Sequence, residues 1–180
     1  DNGSTAVEVA LKMCLQYFNN AGHQNKKKVL AFKDAYHGDT FGAMSVSGRS
    51  IFTNPFNEFL FDVEFIDLPY EHNIENLKSQ ISNLKSSLCC FIFEPLILGA
   101  GGMQMYEAKY LDELLKVCQE NDILCIADEV MTGFGRTGTY FACEQLINKP
   151  DIFCLSKGLT GGTMPMGVTS CNEKVFNAFL

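Results

Sequence analysis

The sequence contains LCIADE at residues 124–129 and IFCLSK at residues 152–157, two apolar runs that each stop at an ionisable side chain. Each run has the length and composition of a buried β-strand. The first run ends at Asp128 and the second is followed by Lys157, with a glycine-rich turn, TGFGRTG at residues 132–138, between them. In open α/β sheets, ligands bind at the carboxyl ends of the strands. We therefore expect Asp128 and Lys157 to lie at one ligand site.

Two hydrophobic patterns alternate along the rest of the chain. Apolar residues at helical spacing predict helices, and short apolar runs predict strands. The helices are expected at residues 6–18, 71–86, 110–121 and 173–180, and the strands at residues 29–32, 63–66, 88–93, 124–127, 152–155 and 167–171. Such alternation indicates an α/β fold with a mostly parallel sheet.

The first predicted helix is preceded by Asn-Gly-Ser-Thr at residues 2–5. Ser4 or Thr5 is expected to cap the helix, and Glu8, three residues after Thr5, would complete a capping box. The same turn offers free N–H groups and hydroxyls to an anion, with the helix dipole assisting. Taken alone, the motif favours the simple cap.

Composition bounds the class of protein. The chain has 180 residues, 47% hydrophobic and 19% charged, which predicts one globular domain or the core of one. A net charge of −7 argues against nucleic acid as a partner. The 8 cysteines form no C-x-x-C pair, which favours buried thiols in a reducing compartment, the cytoplasm, over disulfides or zinc. No apolar run reaches transmembrane length, and no membrane partner or signal peptide is expected.

The residue types at the two strand ends suit a particular chemistry. A lysine that forms a Schiff base must lose its proton near neutral pH, and a partly desolvated strand end favours this. Gly158, next to Lys157, is expected to let a ligand approach the backbone. On spacing alone, however, Lys157 is more simply an ordinary charge that closes a strand.

Asp128 has two chemical interpretations. A buried carboxylate there keeps a pyridinium nitrogen protonated. Alternatively, Asp128 and Glu129 could ligate Mg²⁺ beside a nucleotide. The absence of a G-x-x-x-x-G-K-[ST] phosphate loop from the sequence weakens the nucleotide alternative. The Tyr36-His37 pair could stack on a flat ligand, although an ordinary turn is the simpler interpretation.

Together, these stretches resemble the pyridoxal-phosphate-dependent aminotransferases of class III. The matching segments are GSTAVE (3–8), YHGDTFGAMS (36–45), EP (94–95) with GAGGM (99–103), ADEV (127–130) with TGFGRTG (132–138), and SKGLTGG (156–162). The resemblance implies the large domain of a fold-type I enzyme, a mostly parallel central sheet with helices on both faces. Residues 1–180 would form the central part of that domain, without the N-terminal segment and the small C-terminal domain.

The resemblance also implies how pyridoxal phosphate would be held. Lys157 would bind it covalently and act as the catalytic residue that moves the substrate proton. Asp128 would pair with the pyridine nitrogen, and Tyr36 would stack on the ring. Gly3 and Ser4 would bind the phosphate with nearby backbone N–H groups.

The resemblance implies a substrate site beside the cofactor. Tyr36, Asp39, Arg136 and Lys157 would line it, with His37 contributing to its shape and Arg136 near the amino donor. The role of Glu94 stays open. Because the sequence has only one other arginine, a further carboxylate-binding arginine is expected outside these residues.

Within class III, the 36–45 and 99–103 motifs resemble the enzymes of biotin synthesis. That resemblance implies transfer of an amino group to 8-amino-7-oxononanoate from S-adenosylmethionine, with lysine as an alternative donor. A homodimer with active sites at its interface is expected, and the fragment alone is expected to be inactive. The alternatives are another class III transaminase, acting on an ω-amino acid such as ornithine or 4-aminobutyrate, and a non-catalytic domain that retains the fold.

Overall fold

A computed structural model describes residues 2–180, which form a six-stranded sheet. Its strands are β1 (Lys28–Phe32), β2 (Val63–Ile66), β3 (Leu88–Phe93), β6 (Leu124–Asp128), β7 (Ile152–Leu155) and β8 (Val168–Cys171). The order is β2-β1-β3-β6-β7-β8, with every pair parallel except β7 and β8. A separate hairpin pairs β4 (Ile97–Leu98) with β5 (Gln104–Met105). Five parallel strands therefore bring their carboxyl ends to one edge.

Helices cover both faces of this sheet. They are α1 (Gly3–Asn20), α2 (Phe41–Ser45), α3 (Ile74–Leu84), α4 (Ala108–Glu120) and α5 (Glu173–Asn177). One face packs against α3 and α4, through residues such as Leu77 and Leu111. The other packs against α1, through residues such as Val7 and Leu11. The predicted α/β fold with a mostly parallel sheet and helices on both faces is confirmed.

The predicted cap of the first helix was wrong. Asn2 is the N-cap, because its side-chain oxygen accepts the Thr5 N–H at 3.0 Å while Thr5 Oγ1 accepts the Asn2 N–H at 2.9 Å. This reciprocal pair satisfies the helix end in the way a capping box does. Ser4 and Glu8 are therefore not needed for the cap. Ser4 accepts the Asp39 N–H from a neighbouring loop, and Glu8 accepts the N–H groups of Gly42 and Ala43 at the start of α2.

Other differences lie at element ends. The helix predicted at residues 71–86 begins later, since Asn73 Oδ1 accepts the Tyr70 N–H at 2.8 Å and closes a turn first. The last helix ends at Asn177. The β4–β5 hairpin was not predicted, because its two-residue strands are too short to show a periodic pattern.

Seven of the eight cysteines are buried. Among residues 2–180, no helix is long and apolar enough to cross a membrane.

Candidate active site

A cavity of about 300 Å³ opens at the carboxyl edge of the sheet, beside the N-terminus of α1. Strands β1, β3, β6 and β7 each end at it. Its lining includes Gly3, Ser4, Tyr36, His37, Asp128 and Lys157. The structure therefore brings together all five residues that the sequence predicts around a cofactor.

Asp128 is the last residue of β6 and is 4% exposed. Its Oδ1 accepts the Val130 N–H at 3.0 Å, and its Oδ2 lies 2.7 Å from Nδ1 of His37. Both oxygens thus have a fixed partner, and the carboxylate keeps one orientation on the cavity wall. A fixed, buried carboxylate is suited to hold a proton on a ring nitrogen.

His37 makes a contact that the sequence did not predict. Its side chain is buried, its backbone N–H donates to Ser47 Oγ at 2.8 Å, and its ring contacts Asp128. The imidazole, which also lines the cavity, therefore orients the carboxylate. Its Nε2 is buried and has no hydrogen-bond partner among residues 2–180. Local sequence pattern does not indicate this contact, because the two residues are 91 positions apart.

Lys157 follows β7 and begins a short 3₁₀ turn, Lys157–Leu159. Its backbone has φ +36°, a left-handed conformation that is strained for a residue with a side chain. The side chain is exposed and lines the cavity. Strained backbone at a functional side chain is common where position matters more than local stability.

Gly158 has a packing role that the sequence did not predict. A Cβ at this position would lie 2.7 Å from Cδ2 of Phe134. The absent side chain thus makes room for an aromatic ring of the glycine-rich turn. This packing fixes the backbone immediately after Lys157.

The first turn of α1 forms one end of the cavity. Its N–H groups at Gly3 and Ser4 precede the first intrahelical hydrogen bonds and are available to an anion. A Cβ at Gly3 would lie 2.8 Å from Cγ1 of Val130, so glycine lets the helix approach the end of β6. Ser4 Oγ accepts the Asp39 N–H at 3.2 Å.

Tyr36 and Asp39 lie in the loop between β1 and α2. The Tyr36 hydroxyl donates to Asp39 Oδ2 at 2.9 Å. Partial burial, with the Asp39 carboxylate next in order, raises the pKa of Tyr36 to about 12. Tyr36 is therefore a neutral phenol at neutral pH, with one exposed ring face available to a flat ligand.

Glu94 is a buried carboxylate at the end of β3 whose role the sequence left open. Oε1 accepts the Tyr36 N–H at 3.0 Å, and Oε2 accepts the Gly99 N–H at 2.9 Å. Burial raises the pKa of Glu94, although these N–H groups and His37 act in the opposite direction. Glu94 joins the Tyr36 loop to the glycine loop at residues 99–102. A carboxylate that ends an apolar strand was the available sequence signal.

Glu129, next to Asp128, faces a different part of the molecule. It is fully buried and accepts the N–H groups of Ala142 and Cys143 at 2.9 and 2.8 Å, and the hydroxyl of Thr132 at 3.0 Å. The two adjacent carboxylates thus have separate partners, which speaks against the Mg²⁺ alternative. No cluster of three or more metal-ligating side chains occurs within residues 2–180.

Arg136 is not in the first cavity. It lines a second cavity of about 490 Å³ with mainly apolar neighbours, among them Met103 and Met105. Met131 lines both cavities, so the two adjoin. The other arginine, Arg49, donates to the carbonyl oxygens of Met44, Ser45 and Ser47 at the end of α2. The role predicted for Arg136 at a substrate site stays a prediction.

A parallel sheet with a carboxylate and a lysine at adjacent strand ends defines a class of enzyme, and comparison with known proteins identifies it. The family described as aminotransferase class-III matches residues 1–180. The chain therefore belongs to the class III aminotransferases, which are pyridoxal-phosphate-dependent enzymes of fold type I.

Similar proteins are named as adenosylmethionine-8-amino-7-oxononanoate aminotransferase. The one from Synechococcus elongatus is 49% identical over 189 residues, which cover 99% of this chain and 44% of that protein. The crystal structure of the Methanocaldococcus jannaschii protein of that name has a TM-score of 0.94 and 41% identity, covering 100% of this chain and 42% of its own. The chain thus spans less than half the length of these relatives.

A further similar structure is an amine transaminase from an uncultivated Pseudomonas species, in its PLP-bound form. It has a TM-score of 0.92 and 35% identity, covering 99% of this chain and 44% of its own. The fold is therefore shared with a transaminase of a different name, while sequence identity is higher to the proteins named for 8-amino-7-oxononanoate.

Proposed function

We propose that the whole protein transfers an amino group to 8-amino-7-oxononanoate, giving 7,8-diaminononanoate in biotin synthesis, with pyridoxal phosphate as cofactor. The observation that carries the proposal is the position of Lys157 and Asp128 on the wall of one cavity, at the ends of adjacent parallel strands. The names and identities of the relatives support the choice of substrate.

The residues of the cavity fit this cofactor. The N–H groups of Gly3 and Ser4 at the start of α1 suit a phosphate. Asp128 suits the pyridine nitrogen, because both of its oxygens are fixed and the side chain is buried. Lys157 supplies an amine and Tyr36 an aromatic face on the same cavity. When bound there, pyridoxal phosphate would supply an electron sink for the bonds at the substrate's reacting carbon.

Each side chain around the cofactor would then have its own role in the reaction. Asp128 keeps a proton on the ring nitrogen, and His37 holds Asp128 in place. Lys157 would hold the cofactor through its amine, and its Nζ would carry a proton to and from the reacting carbon of the substrate. Glu94 and the Asp39 carboxylate set the position of Tyr36 through its backbone N–H and its hydroxyl.

Substrates would be bound beside the cofactor. We assign Tyr36, Asp39 and Arg136 to substrate binding, with S-adenosylmethionine as the amino donor and Arg136 on the donor side. The adjoining cavity that Arg136 lines supports this placement. Lysine is the alternative donor. The ω-amino acid transaminases are a less favoured alternative, because the amine transaminase is 35% identical and the Synechococcus elongatus protein 49%.

We also propose a cytoplasmic homodimer whose active sites lie at the subunit interface. Large aromatic side chains near the site are exposed, among them Phe41, Phe52 and Phe59 at 57%, 80% and 72%. The rings of Phe41 and Phe59 contact each other, and exposed apolar side chains grouped in this way are typical of protein interfaces. Residues 1–180 would be the central part of the large domain, and this part alone is expected to be inactive.

The test uses the full-length protein, a Lys157→Ala variant and, as a control, Lys116→Ala, an exposed lysine on α4. Visible absorbance is recorded with pyridoxal phosphate, before and after S-adenosylmethionine. In the parent and the control we expect an absorbance band of the bound cofactor that disappears when the donor is added. In Lys157→Ala we expect no such band. A band that S-adenosylmethionine leaves unchanged would overturn the assignment of the donor. No band in the parent would overturn the cofactor and the function.

A further inference from the structure

We propose that Glu8, on α1, is a positioning residue for the amino-transfer site. It would hold the loop of residues 36–40 in register with the first turn of α1. The inference rests on the proposed function. That function assigns the first turn of α1 to the cofactor phosphate and the loop of residues 36–40 to the cofactor ring, and Glu8 would link these two parts.

Glu8 binds the start of the neighbouring helix α2. Its Oε1 accepts two backbone N–H groups, from Gly42 at 2.6 Å and from Ala43 at 3.1 Å. The residue before α2, Thr40, makes no side-chain capping bond. A carboxylate at a helix N-terminus satisfies otherwise unpaired donors and interacts favourably with the dipole. Glu8 thus caps α2 from another helix.

The contact depends on close approach of the backbone. A Cβ at Gly42 would overlap the Glu8 carboxylate, so only glycine allows this geometry. One turn earlier on α1, Ser4 Oγ accepts the Asp39 N–H, and a Cβ at Gly38 would overlap Ser4. Residues four apart share a helix face. Ser4 therefore binds the loop of residues 36–40 at Asp39, and Glu8 binds the start of the helix that directly follows this loop.

The loop held in this way carries Tyr36, His37 and Asp39. His37 reaches Asp128, and the Tyr36 hydroxyl binds Asp39. Glu8 contacts none of these side chains and lines no part of the cavity. Its effect on the reaction would therefore come through the position of the loop, which is what distinguishes a positioning residue from a catalytic one.

The experiment compares Glu8→Ala and Glu8→Gln in the full-length protein, with Glu120→Ala, a surface glutamate of α4, as the control. Both hydrogen bonds end on one oxygen, which the amide oxygen of glutamine can replace. We expect Glu8→Ala to weaken pyridoxal phosphate binding and to raise KM for the amino acceptor, each roughly tenfold, as expected for loss of hydrogen bonds to a charged acceptor. Glu8→Gln should restore most of both.

A second variant tests the contact from the other side. Gly42→Ala should reproduce the effect of Glu8→Ala, and the double variant should be no worse than either single variant, because both remove one interaction. Thermal unfolding is measured throughout. The inference would be overturned if Glu8→Ala left cofactor binding and KM unchanged, whether or not its unfolding temperature was lower. An inactive parent protein would instead overturn the proposed function.

Discussion

Nδ1 of His37 lies 2.7 Å from Oδ2 of Asp128, and both side chains are almost fully buried at the carboxyl edge of the sheet. Asp128 ends β6 and His37 follows β1, with β3 between these strands. The pair therefore spans two strand spacings along the wall of the cavity, which both residues line. It explains how a carboxylate at a strand end keeps the orientation that a ring nitrogen requires.

Replacing His37 should release Asp128. His37→Ala leaves one oxygen of a buried carboxylate without its partner, which costs about 1–3 kcal/mol in free energy of unfolding. We expect that loss, together with weaker cofactor binding, in denaturant titrations and absorbance titrations of the full-length protein. His37→Asn, whose amide can donate in place of Nδ1, is the control and should recover part of both. Equal stability of His37→Ala and the parent would contradict this role.

Glu94 should make stability depend on pH. Burial raises the pKa of Glu94 above its ordinary value of 4.5, so the folded state binds the proton more tightly than the unfolded state. Stability contributed by this proton is present below pH 4.5 and is lost as pH rises through the folded pKa. As pH rises across that window, the free energy of unfolding of the parent should therefore fall relative to that of Glu94→Gln. A difference independent of pH would show that the folded pKa is not raised.

The phenol of Tyr36 should titrate at lower pH when Asp39 loses its charge. Burial is the largest of the causes that raise the pKa of Tyr36 to about 12, and Asp39 adds a hydrogen bond and a negative charge. Asp39→Asn removes the charge, so the pKa should fall towards the ordinary tyrosine value. Ultraviolet difference titration measures it, with Tyr36→Phe variants subtracted to isolate this one residue. An unchanged titration would mean that burial alone raises the pKa.

Gly158→Ala should disturb the turn that holds Lys157. The added methyl would lie 2.7 Å from the Phe134 ring, and overpacking of this kind costs about 1–3 kcal/mol. We expect lower stability and lower amino-transfer activity together. The double variant Gly158→Ala/Phe134→Ala makes room for the methyl and should recover part of the activity. Failure of Gly158→Ala to change either quantity would argue that this packing is unimportant.

Some of the site was accessible from local sequence pattern. The apolar runs before Asp128 and before Lys157 predict strands, and the alternation of elements predicts that the strands are parallel. Parallel strands end at one edge, so the approach of the two residues follows from topology. The cap of α1 was mispredicted because Asn2, Ser4 and Thr5 are all good caps and local sequence did not distinguish them.

The contacts that fix the site were not accessible in the same way. Hydrogen bonds from the Gly42 N–H to Glu8 and from the Tyr36 N–H to Glu94 join residues 34 and 58 positions apart. No periodic pattern records such a pair, since each partner is one polar group among many. The placement of Arg136 in an adjoining cavity likewise depends on the conformation of the glycine-rich turn. Glu129 precedes this turn and accepts the N–H groups of Ala142 and Cys143, which follow it.

The sequence by itself determined the class of fold, the parallel order of its elements and the two ionisable strand ends, because hydrophobic periodicity and chain order are local properties. Only the tertiary structure decided that His37 supports Asp128, that Gly158 makes room for Phe134 and that Glu8 binds the start of α2. Those assignments depend on which backbone N–H groups and side chains meet once the strands are paired and the helices packed, and that meeting is set by the whole core.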